Sequence, residues 1–363
     1  MTHPSETTVP VVLALAEQLG SSGHEVLGAL TIGIETAIAV SSMALVPAVK
    51  YDRCEAPAVY GTIGATAAAA KLLGLNMPST AHALGLAASF AAGLSEGIRI
   101  GTDEYHFIVA LASQHAELAA SLAQRGAIAA ATAFEGEGGF YHLFPGISRE
   151  DLADNDAAGD IARRLGHEWG IPQLIYKPYP IHYFNQVFAD GALELRARHG
   201  LKASEITAIR LTVGPLASTT GALLDPPYRT RSAVLGSTRF CVASILARGT
   251  LNLADTLDLT APDIGALVDR TRVIADDGLT TARIQVTANG QDYQFDGERE
   301  GRDYRLGEEE IHEIFRTATE GVLPRDQAAQ LLSLLTDVEN AKDVRDIVSA
   351  SVTVGAHVTP QGV

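Results

Sequence analysis

The sequence predicts a mainly α protein with an α+β part: an all-helical domain carrying an inserted α+β lid domain. Three observations predict it. Apolar residues recur at helical spacing from the start, as in Val9, Val12, Leu13, Ala16 and Leu19. Beyond about residue 189 the texture changes to short alternating runs mixed with helices. From about residue 308 to 350 it is helical again. An α+β stretch flanked by helical stretches reads as an insertion. That puts the helical domain at 1–176 and 307–352, the lid at 177–306 and a tail at 353–363. A chain of 363 residues is long for one core, so two domains fit its length.

The helical pattern runs from Glu6 to about Arg125. Its clearest part is residues 61–93, where Ala65 to Ala70 form a run of small residues. Alanine is the best helix former, and helices surfaced with Ala and Gly approach one another closely. The segment therefore reads as a buried helical hairpin. Gly74 and Asn76 suit left-handed positions ending the first helix, and Ser79 suits the N-cap of the second. Residues 126–146 are glycine-rich and read as loop, and 149–166 as an amphipathic helix. Pro178 and Pro180 forbid regular helix over 177–182 and stiffen an extended path. Residues 189–198 and 237–248 read as helices, Ile206–Val213 as a strand. Residues 283–288 alternate, and Asn289-Gly290 offers a type I′ turn into 291–295. The last helical stretch opens on acidic residues, as the helix dipole favours.

Composition excludes some partners. The balance of 27 basic and 43 acidic residues gives a net charge of −16, which argues against nucleic acid and anionic membranes. The 2 cysteines, Cys54 and Cys241, are too few for a disulfide framework or a zinc ribbon and read as buried thiols. The apolar windows near Ala65 and Ala83 are broken by Lys71 and His82, short of the roughly 20 residues a membrane span needs. No signal peptide is evident. The expected location is the cytoplasm.

No metal-binding spacing, Rossmann fingerprint, Walker loop or nucleophile elbow is present. The expected chemistry is acid–base, with no cofactor and no metal. The segment Lys177-Pro178-Tyr179-Pro180-Ile181-His182 is the leading candidate. Its prolines pre-position the flanking side chains, and His182 falls where a helix begins, a place suited to an anion. A lysine and a histidine there can grip a carboxylate and exchange a proton. From spacing alone, Lys177 reads first as a solvated linker residue and His182 as a cap or core histidine.

Several marks in order resemble the MmgE/PrpD family, to which 2-methylcitrate dehydratase, cis-aconitate decarboxylase and iminodisuccinate epimerase belong. They are Thr2-His3-Pro4-Ser5, Gly61-Thr62-Ile63-Gly64-Ala65, Ala83-Leu84-Gly85-Leu86-Ala87, Gly101-Thr102, Glu135-Gly136 with Gly139-Phe140, and the 177–182 segment. The resemblance covers nearly the whole chain. It implies a helical domain and a smaller α+β domain enclosing a cleft, and members that move protons beside substrate carboxylates. It also implies functional roles for Lys177, His182 and His3, although His3 reads alone as a residue of a disordered terminus.

The departures carry equal weight. Where the family shows Phe-His-Pro-Thr, this chain has Cys54-Glu55-Ala56-Pro57. Where the family follows Gly-Thr with a lysine and then a histidine, this chain has Tyr105 and Ile108. A common tyrosine is Phe240. Charge has moved the wrong way for a polyanionic substrate. Glu55, Asp103, Glu104, Tyr105 and His106 read either as a different acid–base set or as a solvated loop. The expected function is a divergent, metal-free lyase or isomerase acting on a small or medium carboxylated substrate. His3, Lys177, His182, Glu55 and Tyr105 are its expected catalytic residues, and Thr102, Asp103, His106 and Phe240 its substrate contacts. The alternative is a non-catalytic scaffold that keeps the fold. The family's helices before the His-Pro motif have no counterpart here: lost, truncated or supplied by a separate subunit. A homodimer is the expected assembly.

Overall fold

The helix Ala56–Leu72 (α3) has no polar stripe: every residue from Pro57 to Ala70 is buried. The computed structural model describes residues 3–44, 54–143 and 163–352. The small side chains of α3 let Ser5–Leu19 (α1), Gly23–Ala44 (α2) and Met77–Phe90 (α4) pack around it. At the α2–α3 crossing the backbones nearly touch. A Cβ on Gly64 would lie 2.4 Å from the Gly33 carbonyl oxygen, and one on Gly33 would lie 2.9 Å from that of Gly64.

Gly74 ends the first helix of the hairpin with φ +64°, as expected. The expectations for Asn76 and Ser79 are corrected. Asn76 is extended, with φ −72° and ψ 167°, and its Oδ1 accepts the Ser79 N–H at 2.9 Å, so Asn76 is the N-cap of α4. Pro78 fits one position inside the helix, where its missing N–H costs nothing.

The longest apolar helix also differs from expectation. Gly23–Ser42 is long and apolar enough to cross a membrane by length and composition, with 28% of that window buried. It packs against α1 and α3. Its Glu35 carboxylate accepts the N–H groups of Gly170 and Ile171 at 3.0 and 2.8 Å. These contacts tie the helix to α1, α3 and the segment at Gly170–Ile171 within its own unit.

The chain divides into two compact units. The first comprises Met1–Leu94, Ile108–Gln173 and Glu309–Val363. Its returning helices Arg325–Thr336 and Arg345–Ser351 bring Leu331, Val344 and Ile347 against Val12, Ala16, Val26 and Ala29. The loop expected over 126–146 is turn and irregular backbone as far as residue 139 and then differs, since Phe140–Leu143 forms a short helix with Phe140 and Tyr141 buried; residues 144–146 lie outside the described residues. The helix expected over 149–166 lies almost wholly outside the described residues.

The second unit comprises Ser95–Phe107 and Leu174–Glu308. It is built on a four-stranded sheet in the order β2-β1-β3-β4. β1 (Ile206–Val213) pairs antiparallel with β3 (Ala282–Ala288), which turns into β4 (Gln291–Asp296). Asn289 and Gly290 have φ of 52° and 73°, the two left-handed residues of a type I′ turn. β2 (Thr271–Ala275), which sequence reasoning missed, lies parallel to β1 on its other side. Ile209, Leu211, Ile284 and Phe295 face the core with Phe188 and Leu195 of Gln186–His199 and Ile245 and Leu246 of Thr238–Arg248.

Ser95–Phe107 belongs to this unit, whereas the sequence reading puts it with the helical domain. Its helix Glu96–Ile100 packs on Arg231–Gly236. Gly101 permits the approach: a Cβ there would lie 2.7 Å from the Ala233 Cα. Thr230 fixes it by donating its hydroxyl to the Gly101 carbonyl at 2.6 Å.

Candidate acid–base site

The residues around His182 follow a path set by two prolines and held by buried amides. The Gln186 side chain accepts the Tyr179 N–H at 3.1 Å and donates to the carbonyls of Tyr179 and Ile181 at 3.0 and 3.1 Å. The Tyr179 hydroxyl donates to Asp190 at 2.8 Å, and Tyr304 and Arg302 donate to the same carboxylate. His182 itself is extended, with φ −61° and ψ 153°, and precedes a 3-10 turn at Tyr183–Asn185. Its position at a helix start is as expected, but an α-helix begins only at Gln186.

The His182 imidazole is the unusual group. The residue as a whole is half-buried, yet both ring nitrogens are buried and neither has a hydrogen-bond partner. Gly236 passes beside the ring; a Cβ there would lie 3.3 Å from Nδ1 and Cε1. The rings of Phe184 and Tyr105 stand edge-on at 5.6 and 6.3 Å. Burial pulls the His182 pKa down to about 3, and the charges of Lys177 and His106 add to the effect. The imidazole is therefore neutral across the ordinary pH range.

His106 brings a second imidazole. Its ring lies 5.5 Å from that of Tyr105, and its Nε2 is 3.2 Å from the buried Ser232 hydroxyl. Ser232 was not legible in the sequence; a serine in the first turn of a short helix gives no signal. Lys177 is exposed. Thr102 is turned toward its own loop, its N–H on the Gly97 carbonyl at 2.9 Å. Asp103 is exposed, and its backbone carbonyl accepts the His106 backbone N–H at 3.1 Å. Phe240 is a core residue, 2% exposed, with its ring 5.5 Å from that of Tyr228. The structure thus brings together Lys177, His182, Tyr105 and His106, and sets Phe240 inside the packing.

His3 and Glu55 lie in the helical unit. The His3 Nδ1 lies 3.8 Å from a Glu6 carboxylate oxygen, and His3 adopts a left-handed backbone with φ 43°. Glu55 occupies the N-cap position of α3 without capping it. Its backbone N–H donates to the Gly93 carbonyl at 3.2 Å. The residue is 6% exposed. Burial, and then repulsion from Glu6, pushes its pKa up to about 7. Burial and Glu55 push the neighbouring Cys54 thiol up to about 11, so it is an inert thiol. Among the described residues, no group of three or more His, Cys, Asp and Glu side chains is placed to hold a metal ion.

Residues 1–150 match the MmgE/PrpD N-terminal domain, and residues 179–340 match the MmgE/PrpD C-terminal domain. The chain belongs to the MmgE/PrpD family. Two cis-aconitate decarboxylases are similar to it. The one from Mus musculus is 30% identical over 201 residues, 54% of this chain and 39% of that enzyme. The one from Homo sapiens is 31% identical over 201 residues, 54% of this chain and 40% of that enzyme. The chain is thus matched to about two fifths of each relative's length.

Within this MmgE/PrpD chain the chemistry available around His182 is proton transfer next to an anion. A neutral imidazole accepts a proton, a lysine attracts a carboxylate, and a phenol and a second imidazole carry protons. The buried Glu55 is a proton donor at pH values below about 7.

Proposed function

We propose that this MmgE/PrpD chain is a lyase or isomerase that moves a proton beside a carbonyl or carboxylate of a small or medium organic acid. The observation that carries the proposal is the His182 ring, with two buried nitrogens and no partner for either. An unpaired buried polar atom is costly, and a ligand that supplies the missing hydrogen bonds offsets the cost. As it stands the imidazole is a poor base, because burial, and then the neighbouring Lys177 and His106, hold its pKa low. A bound carboxylate reverses part of that. Its negative charge compensates Lys177 and favours the protonated imidazole, so the base strengthens only when substrate is present. Side-chain proton carriers are sufficient for this chemistry, and the proposal uses no cofactor. That the two similar proteins are decarboxylases, hence lyases, supports the reaction class. We also propose a homodimer, which sedimentation at micromolar concentration tests; a stable monomer would remove it.

The test of the chemistry is solvent deuterium incorporation and product formation across a panel of dicarboxylic and tricarboxylic acids. His182→Gln is expected to lower turnover of any acid that reacts by about 10²–10⁴-fold, the usual contribution of a general acid or base. Its thermal midpoint should not fall. A folded His182→Gln protein with full turnover removes His182 from the chemistry. Failure of the wild-type protein to exchange or convert any acid overturns the proposal and favours a scaffold.

A further inference from the structure

Asn185 is fully buried and follows the imidazole by three residues. Its Nδ2 donates to the carbonyls of Leu235 and Gly236 at 3.1 and 2.9 Å. Its Oδ1 accepts the hydroxyl of the equally buried Thr238 at 2.6 Å. The two carbonyls end the helix Arg231–Gly236, where a helix leaves its last acceptors without internal partners. The His182 backbone N–H adds a third bond to the same place, on the Leu235 carbonyl at 3.2 Å.

These bonds join two pieces of the site. One is the turn that carries His182. The other is the helix whose last residue, Gly236, passes beside the His182 ring and whose Ser232 pairs with His106. The Asn185 amide therefore sets the separation between the His182 ring and that helix. Gln186 fixes the backbone on the opposite side of His182 through Tyr179 and Ile181. Neither amide reaches the His182 ring, and neither belongs to the family marks read in the sequence.

We propose that Asn185, with the Thr238 hydroxyl holding its amide, is the positioning residue that keeps the His182 imidazole dry, unpaired and in register with the Ser232–His106 pair. A merely structural role would lower stability and leave the ring alone. A positioning role moves the ring. The proposal rests on the function above only in calling the site catalytic; its ring readout does not use turnover.

The experiment uses the full chain labelled with ¹⁵N-histidine, the His182 ring signals being assigned with the His182→Gln variant. Thr238→Val removes the hydroxyl that bonds Asn185 Oδ1 at nearly constant volume and replaces no residue of the His182 turn or of the helix Arg231–Gly236. Thr238→Ser keeps the hydroxyl and is the rescue. In wild type and Thr238→Ser the His182 ring is expected to stay neutral over roughly pH 5 to 8, with Lys177, His106 and Tyr105 around it. In Thr238→Val the ring signals should shift and begin to titrate in that range as water reaches the nitrogens. With any acid the wild type turns over, kcat should fall about tenfold or more while KM changes little, the response to a displaced catalytic group. A folded Thr238→Val protein whose His182 signals superimpose on wild type overturns the proposal, even if Asn185→Ala unfolds. Ring signals that shift as expected in a protein that turns over no acid leave the positioning role standing and defeat the lyase reading.

Discussion

A carboxyl group buried beside another carboxyl keeps its proton for two reasons, lost hydration and repulsion, and Glu55 has both. Its pKa rises from 4.5 to about 7. The folded chain thus binds the proton more tightly than the unfolded chain does. The stability this contributes is fully present below about pH 4.5 and is lost as pH rises through about 7. The shift corresponds to about 3 kcal/mol. Glu55→Gln should therefore raise stability at pH 8 by up to about 3 kcal/mol and flatten the fall between pH 5 and 8, read by urea unfolding. A variant less stable than wild type at pH 8 would contradict the assignment. His182 acts in the opposite sense. Its folded pKa lies below its unfolded value, so the stability linked to it is present above about 6.5 and lost as pH falls toward about 3. Amide exchange in α3 and in Gln186–His199 separates the two. Glu55 was legible because a charged residue replaced an expected histidine. Asn185, Gln186 and Ser232 were not, because each acts through a partner distant in sequence, or through backbone carbonyls whose place only the fold determines.

At the scale of elements, the sequence pattern works where the local cause is strong. β1, β3 and β4 follow from alternation and from Asn289-Gly290, whose left-handed residues make the tight turn. β2 did not, because Thr271-Arg272-Val273-Ile274-Ala275 is only five residues long, does not alternate polar with apolar, and becomes a strand through a parallel pairing across some sixty residues. The start of α4 shifted because Asn76 outcompetes Ser79 as a cap. Glycines allow a sharper test, since space, not identity, decides the sign. A helical Gly→Ala change gains up to about 1 kcal/mol of propensity. Gly28 in α2 has nothing within 4 Å of an added Cβ, so Gly28→Ala should stabilise by about 0.5–1 kcal/mol. An added Cβ at Gly64 meets the Gly33 carbonyl oxygen at 2.4 Å, a backbone atom that cannot turn aside. Gly64→Ala should therefore cost about 1–3 kcal/mol net, or more. Thermal midpoints moving in opposite directions would bear this out; equal shifts would show that the close α2–α3 crossing is misjudged.

The molecule as a whole carries a net charge of −16, so holding the organic anion we propose requires its few cations to be concentrated at the site. Family membership sets the reaction class we propose, but particular residues set how much negative charge a substrate can bring. At three positions where the family pattern expects histidine, lysine and histidine, this chain has Glu55, Tyr105 and Ile108. A charged hydrogen bond to a carboxylate is worth about 1.5–3 kcal/mol, so losing two weakens binding about a hundredfold or more where their effects add. The similarity to cis-aconitate decarboxylases pulls the other way, at 30% and 31% identity over 201 residues. The charge argument decides, because identity spread over a fold does not restore a missing cation at a site. The last prediction is therefore that kcat/KM for cis-aconitate is about a hundredfold or more below that of the mouse or human relative in the same assay. For an acid with fewer carboxylates the deficit should be smaller. Raising ionic strength should narrow the gap, since salt screens the repulsion between an anionic protein and a polyanion. Turnover of cis-aconitate equal to that of either relative would show that other side chains supply the missing positive charge.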